Sequence, residues 1–348
     1  MSDPGKLTSG TSSWKTIAGF LLWPLSIPYR AWMVVRRSWW RGRSHRLTVP
    51  VVSIGNLTCG GTGKTPMVEM VAGDLAGMGR QPAILSRGYG ADSTEGPGND
   101  EYRVLADNLP GIEHYQGADR VVHGREAIAA GAGVLVLDDG FQHCRLHRDL
   151  DLVLLDSLRP FDNGHLLPAG LLREPVTALI NADLLGLTRA NLVSREKLDS
   201  IRSFLEERYP GIPLLVLESR AVCWQELFGE AREADSLAAT KVFAFCGIGH
   251  PRSFRLAVED LGTKVAGFHA FKDHQAYDSD SVAQVASRAR QCGVDTIVMT
   301  QKDAVKLEEE WLKSQEDVRW FFLRIEQKIV SGEGAYRQAL AGLFPGDR

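Results

Sequence analysis

The chain has 348 residues, of which 44% are hydrophobic and 24% charged, with 40 Lys and Arg against 43 Asp and Glu for a formal net charge of -3. This is the composition of a folded protein with a sizeable core, so wholesale disorder is excluded, and the length suits two domains. No basic excess marks a nucleic-acid partner, and the five scattered cysteines, with no CxxC among them, oppose a disulfide framework or structural zinc and suit a reducing compartment.

Residues 1–46 stand apart electrically. No acid occurs between Asp3 and Glu69, while Arg30, Arg36, Arg37, Arg41, Arg43 and Arg46 accumulate beside Trp14, Trp23, Trp32, Trp39 and Trp40. The uncharged run TIAGFLLWPLSIPY is too short to span a bilayer, and it carries Pro24 and Pro28. Tryptophans and apolar residues flanked by arginines suit a segment lying in the membrane interface. A helix packed on the protein's own core and a single membrane span are the alternatives.

From residue 47 the pattern alternates between β and α. LTVPVVSI predicts a buried strand, PMVEMVAGDLAG a helix with Met67, Met70, Val71 and Leu75 on one face, and PAILS a short strand. A Gly/Asp/Pro loop follows at 91–100. DRVVHGREAIAA predicts a helix, and VLVLDD and DLVLLD predict strands. After LLVLES comes a second β/α series through KVFAFCGI, PRSFRLAVEDLG, KVAGFHAF, SVAQVASRARQCG and DTIVMT, ending in a strand and a helix. The fold class is therefore α/β, a mostly parallel sheet with helices on both faces. The expected organisation is an N-terminal membrane-associating segment at 1–46, a P-loop core at 47–215 and a smaller α/β lobe at 216–348, with the boundary inside 190–235.

GNLTCGGTGKTP, residues 55–66, sits at a strand-to-helix turn, where a P-loop belongs. Thr58 stands where the strict pattern has glycine. Residues Thr58, Cys59, Gly60, Gly61, Thr62, Gly63, Lys64 and Thr65 are the predicted phosphate cradle: glycines turn backbone N–H groups to the anion, Lys64 neutralises it and the Thr65 hydroxyl takes Mg2+. VLVLDDGFQH at 134–143 is a strand ending in two acids, a Walker-B-like element with Asp138 as the metal candidate and Asp139 beside it. His143 and His147 are read as structural. These motifs define a nucleotide site without an acceptor, so a kinase, a hydrolase coupled to a partner, a GTP-dependent chaperone and a non-catalytic nucleotide-binding scaffold remain open.

The ordered blocks GNLTCGGTGKTP, SRGYG (86–90), NDE (99–101), DR (119–120), LDDGFQH with LHRDLDLVLLD, LLPAGLLREP (166–175), FKDH (271–274) and TQKDAVKL (300–307) together resemble the tetraacyldisaccharide 4'-kinase family. The resemblance covers nearly the whole chain. It implies ATP- and Mg2+-dependent phosphorylation of the 4'-hydroxyl of tetraacyldisaccharide 1-phosphate to form lipid IVA, in lipid A biosynthesis. It implies work at the cytoplasmic face of the bacterial inner membrane, as a peripheral or monotopic protein with that lipid and the membrane surface as partners, and no nucleic acid or obligate protein partner.

By the same resemblance Asp100 is the catalytic base and His274 its partner; lobe closure is expected to bring the two together, and Lys64 of the P-loop is also expected to be catalytic. Glu101 is expected to help hold Mg2+. Tyr89, Arg120, Asp139, Arg173 and Glu174 are expected substrate or transition-state contacts. Where the family has GDE this chain has Asn99, Asp100 and Glu101. Gln142, Lys302 and Asp303 lie in matched blocks with no role assigned.

Overall fold

The computed structural model describes residues 13–88 and 98–347. In chain order the elements are α1 (Ser13–Trp40), β1 (Val51–Asn56), α2 (Lys64–Gly77), β2 (Pro82–Ser86), α3 (Asp100–Asn108), β3 (Glu113–Gln116), α4 (Arg120–Ala129), β4 (Val134–Asp138) and β5 (Leu150–Asp156). There follow β6 (Leu184–Thr188), α5 (Arg195–Arg208), β7 (Leu214–Glu226), β8 (Ala231–Glu233), β9 (Lys241–Cys246), α6 (Pro251–Asp260), β10 (Lys264–Ala270) and α7 (Ser279–Gln291). The last are β11 (Thr296–Thr300), α8 (Gln301–Ala304), α9 (Glu309–Lys313), β12 (Arg319–Ser331) and α10 (Glu333–Gly342).

The chain forms two compact units, one of Met1–Tyr89, Leu109–Ser219 and Gln327–Arg348, the other of Gly90–Asn108 and Arg220–Glu326. The units are not consecutive, which a single boundary in 190–235 does not anticipate. The last two of the four crossings of the chain between them fall inside the strands β7 and β12.

In the first unit the strands run β7-β6-β5-β1-β4-β2-β3, each parallel to its neighbour. Strands β1, β4 and β5 are buried at every position, so both sheet faces are covered, as expected for parallel strands joined by helices. One core cluster packs Phe161, Leu179, Ile201 and Leu205 against Val153, Leu155, Leu185 and Leu187; another packs Val121 and Ala127 against Val51, Leu85, Leu135 and Leu137. Helix α2 buries Met67, Val68, Val71, Ala72 and Leu75, while Met70, expected on that face, is only half-buried.

In the second unit β10-β9-β11-β12 are parallel, β7 lies beside β12, and β8 pairs antiparallel with β7. Alternation divides its core. Phe243, Phe245, Ile297 and Met299 face α7, whereas Val242, Ala244, Cys246 and Val298 share the other face with Phe254 and Val258 of α6.

Among the described residues no helix is long and apolar enough to cross a membrane. Helix α1 continues through Pro24 and Pro28 and exposes Trp23, Leu25, Ile27, Trp32, Val34, Val35 and Trp39, each more than half exposed, while Ser26 and Met33 are buried.

Candidate active site

Strand β1 ends at Asn56 and α2 begins at Lys64, so the intervening loop must turn sharply at the carboxyl ends of the strands, where open α/β folds bind ligands. Gly60 and Gly63 supply left-handed backbone, with φ of 110° and 80°. A Cβ on Gly63 would lie 3.1 Å from Gln327 Nε2. The loop is tied down through its carbonyls: Thr188 Oγ1 donates to Thr62 O at 2.9 Å and Arg189 Nη2 to Gly61 O at 2.8 Å. Arg189 is itself paired with Asp156 at the end of β5. The result is a braced glycine turn at the N-terminus of a 14-residue helix, an arrangement suited to a phosphate chain.

The second element is the end of β4. Register sets Asp138 beside Ile54 of β1, so the acidic pair and the P-loop leave neighbouring strand ends. Asp139 has left-handed backbone, φ 56°. Arg173 grips its carboxylate bidentately at 2.6 and 2.7 Å and also donates to Asn56 Oδ1. Lys64 Nζ lies 3.5 Å from Asp139 Oδ1 and 3.4 Å from Asn56 Oδ1. Burial pushes the Asp139 pKa up, but the Arg173 hydrogen bonds and the charges of Lys64, Arg173 and Arg120 outweigh it and hold the group well below the usual carboxylate range. Arg120 donates to the carbonyls of Asp138 at 2.9 Å and Asp139 at 3.2 Å, fixing this turn.

Among the described residues no three His, Cys, Asp or Glu side chains converge as a metal cage. The donor chemistry fits Mg2+ all the same. It takes hard oxygens in small number from protein and completes its shell with phosphate and water. Thr65 and the buried Asp138 are such oxygens, carried by segments that leave adjacent strand ends.

Helix α1 is fastened to this site by its inner face. Tyr29 Oη donates to Arg173 O at 2.9 Å, Arg36 Nη2 to Gln142 O at 2.8 Å, and Arg37 pairs with Glu174 at 3.0 Å. Gln142 in turn donates to Asn56 O at 2.9 Å. Glu174 is buried, which pushes its carboxyl pKa up against the pull of Arg37, Arg148, Arg36 and Arg173. Tyr29 is raised too, chiefly by burial.

The second unit holds the other cluster. Asp100 opens α3, and His274 has left-handed backbone, φ 55°. His274 Nδ1 lies 3.5 Å from Asp100 Oδ2, and Lys306 Nζ lies 3.6 Å from the same oxygen. Both partners of the expected pair belong to one unit, so no movement between units is needed to join them. That corrects the expectation that lobe closure joins the two residues. Glu101 is bonded to Lys302 at 3.1 Å, and Arg103 Nη1 donates to Val305 O at 3.0 Å, so α3 is bound to the segment 301–306.

Strained backbone marks both clusters. Asp139, Arg189 and His274 are three of the six non-glycine residues with positive φ among those described, a conformation that costs about 1–3 kcal/mol each and concentrates at functional sites.

Most predicted residues fall into these two clusters. The cradle residues 58–65, Asp138, Asp139, Arg120, Arg173 and Glu174 belong to the first unit; Asp100, Glu101 and His274 belong to the second. Tyr89 lies outside the described residues. In this structure Arg173 holds Asp139, Arg120 holds backbone carbonyls and Glu174 holds Arg37. Each is engaged within the protein, although a direct substrate contact was expected. His143 is half-buried, and its pKa is pushed down to about 3 by desolvation and by Arg120, Arg148, Arg145 and Arg36; His147 pairs with Asp149. Asn56, Arg37, Arg189 and Lys306 were not singled out from sequence. Lys306 lay in plain view inside the block TQKDAVKL, and Asp156, Arg189's partner, is a strand-end acid like Asp138.

Comparison with known proteins gives one consistent result. The profile of the family described as tetraacyldisaccharide-1-P 4'-kinase matches residues 18–344. A protein named tetraacyldisaccharide 4'-kinase from Anaeromyxobacter sp. (strain K) is 40% identical over 345 residues, covering 93% of this chain and 90% of its own. One of the same name from Syntrophus aciditrophicus (strain SB) is 39% identical, covering 82% and 84%. A crystal structure of LpxK from Aquifex aeolicus in complex with ATP superposes with a TM-score of 0.72 at 29% identity, covering 94% of this chain and 99% of that one.

Proposed function

The chain belongs to the tetraacyldisaccharide-1-P 4'-kinase family, and from that premise we propose how its residues divide the work. It is a kinase of lipid A biosynthesis that uses ATP to phosphorylate the 4'-hydroxyl of tetraacyldisaccharide 1-phosphate. Residues 58–65 cradle the triphosphate, with Lys64 leaving Asp139 and Asn56 for the β- and γ-phosphates. Thr65 and Asp138 hold Mg2+, which when bound neutralises charge on the transferring phosphoryl group. Arg173 and Arg120 keep the Asp138–Asp139 turn in the shape that receives the nucleotide.

Asp100 accepts the proton of the 4'-hydroxyl as its oxygen attacks the γ-phosphorus and ADP departs. His274 orients that carboxylate. The acceptor proton ends on Asp100 and the phosphoryl group on the sugar oxygen. Positioning and charge neutralisation contribute most of the rate, and the base adds to them.

Helix α1 lies on the membrane surface through Trp23, Ile27, Trp32, Val35 and Trp39, with the exposed Arg30 and, just past the helix, Arg41 among anionic headgroups. The location that goes with this reading is peripheral, at the cytoplasmic face of the inner membrane, where the lipid substrate resides.

The observation that carries the reading is the joint presence of a braced P-loop with strand-end acids and a separate Asp100–His274 pair. A non-catalytic nucleotide-binding scaffold has no need of the second. The test is transfer of labelled γ-phosphate to the lipid by wild type and by Asp100→Asn. A variant that binds ATP yet makes little labelled lipid supports the assignment; one with full transfer contradicts it.

A further inference from the structure

Two side-chain nitrogens reach one oxygen of Asp100, and their settings differ sharply. The His274 side chain is 60% exposed, whereas that of Lys306 is 9% exposed. The Lys306 Nζ donates to Gln275 O at 3.0 Å, lies 3.4 Å from Asp303 Oδ1 and sits 4.9 Å from the Tyr277 ring centroid. Asp303 is wholly buried and is itself fixed, accepting from Gly247 N at 3.0 Å, Tyr277 Oη at 2.9 Å and Thr300 Oγ1 at 2.6 Å. A buried ammonium is tolerated only where partners compensate its lost hydration, and here every partner belongs to the second unit. The ammonium is therefore a rigid post, while the imidazole is a side chain in water on a strained turn.

We infer that Lys306 is a positioning residue for phosphoryl transfer: it anchors Asp100 through Oδ2, so that Oδ1 is presented to the acceptor hydroxyl. The network Thr300–Asp303–Tyr277 sets the ammonium, and the ammonium sets the carboxylate. Bonds from Lys302 to Glu101 and from Arg103 to the Val305 carbonyl hold α3 on the same segment, so Asp100 and Lys306 keep their spacing. An exposed imidazole alone is poorly suited to fix a carboxylate rotamer; a buried ammonium with three other partners is well suited. The inference rests on the reading of Asp100 as the base.

The experiment is steady-state kinetics of the full chain in detergent micelles, with ATP and tetraacyldisaccharide 1-phosphate each varied, for wild type, Lys306→Gln, Lys306→Arg and Asp100→Asn. Removing one preorganised group that fixes a reacting residue is expected to lower kcat on the order of 10- to 100-fold in Lys306→Gln. Both KM values should stay within about twofold, and Lys306→Arg should regain several-fold of the loss. If Lys306→Gln fails to fold, Asp303→Asn is read in the same way, with a smaller fall in kcat. Wild-type kcat in Lys306→Gln beside a crippled Asp100→Asn overturns the inference alone. So does an equal fall in the Gln and Arg variants with matching loss of thermal stability. Full activity in Asp100→Asn overturns the base reading and the inference with it.

Discussion

Asp139 and Arg173 are joined by two parallel hydrogen bonds, Nη1 to Oδ2 at 2.6 Å and Nη2 to Oδ1 at 2.7 Å, and the same guanidinium reaches Asn56. One planar fork thus ties the end of β4 to the end of β1, the two strands between which a P-loop site is built. Lysine cannot reproduce that fork. Arg173→Lys is expected to lower kcat/KM for ATP at least tenfold although the charge is kept, as read from initial rates at varied ATP. A variant indistinguishable from wild type would show that charge alone matters at this position.

Arg37 couples α1 to the same clamp. Truncating it in Arg37→Met leaves the buried Glu174 without its nearest cation, next in sequence to Arg173. Breaking a buried pair from one side is costly. The expected outcome is a several-fold rise in the KM for ATP with vesicle binding little changed. Replacing exposed Trp32 and Val35 with glutamate should do the reverse, weakening sedimentation with anionic vesicles while ATP binding holds. Deleting the whole helix should therefore damage both, a stronger effect than loss of an anchor.

The sheet and the nucleotide loop were legible in the sequence because their causes are local. PAILS and DLVLLD are runs of buried residues at strand length, and they became β2 and all but one residue of β5. Lys64, Thr65 and the strand-end acids announce themselves through spacing. Arg37, Asn56 and Lys306 did not, because their roles exist only in tertiary contact. Arg37 meets Glu174 across 137 positions, and Arg173 meets Asn56 across 117. One arginine among many near the N-terminus carries no signal of which acid it will find. Helix α3 and strand β6 were missed for a related reason: α3 is short and largely polar, and β6 owes its burial to neighbours on both sides. The discontinuous second unit was equally invisible, since α3 joins it through Arg103, Asn108 and Glu101.

Gly63 is a position where the backbone itself decides. Its φ is 80°, and a methyl group added at its Cα would meet Gln327 at 3.1 Å, so a side chain enters only with movement of its neighbours. Gly63→Ala is expected to cost about 1–2 kcal/mol in stability. Because the strain falls at the helix N-terminus, ATP affinity should drop as well. Calorimetric melting with and without ATP checks both. An unchanged melting temperature with unchanged ATP stabilisation would contradict the account.

His143 makes the first unit acid-sensitive. Burial, joined by the field of Arg120, Arg148, Arg145 and Arg36, lowers its pKa from 6.5 to about 3. As pH falls, the unfolded chain therefore takes up this proton before the folded one. The stability contributed by the neutral imidazole is complete above about pH 6.5 and is lost progressively toward pH 3. Between pH 7 and pH 5 this group alone removes roughly 2 kcal/mol. His114, lowered to about 4 by burial, acts in the same direction, and Glu174, raised by burial, acts in the opposite one. The decisive comparison is thus wild type against His143→Gln in urea unfolding at both pH values, where the variant should lose less stability on acidification.

The most direct test of the central claim is the transfer of labelled γ-phosphate from ATP to tetraacyldisaccharide 1-phosphate in micelles, with Lys64→Ala and Asp100→Ala run beside wild type. The account predicts labelled lipid from wild type, its near-complete loss in Lys64→Ala through failed phosphate handling, and its strong reduction in Asp100→Ala with ATP binding preserved. Release of phosphate without labelled lipid, unaffected by Asp100→Ala, would contradict it.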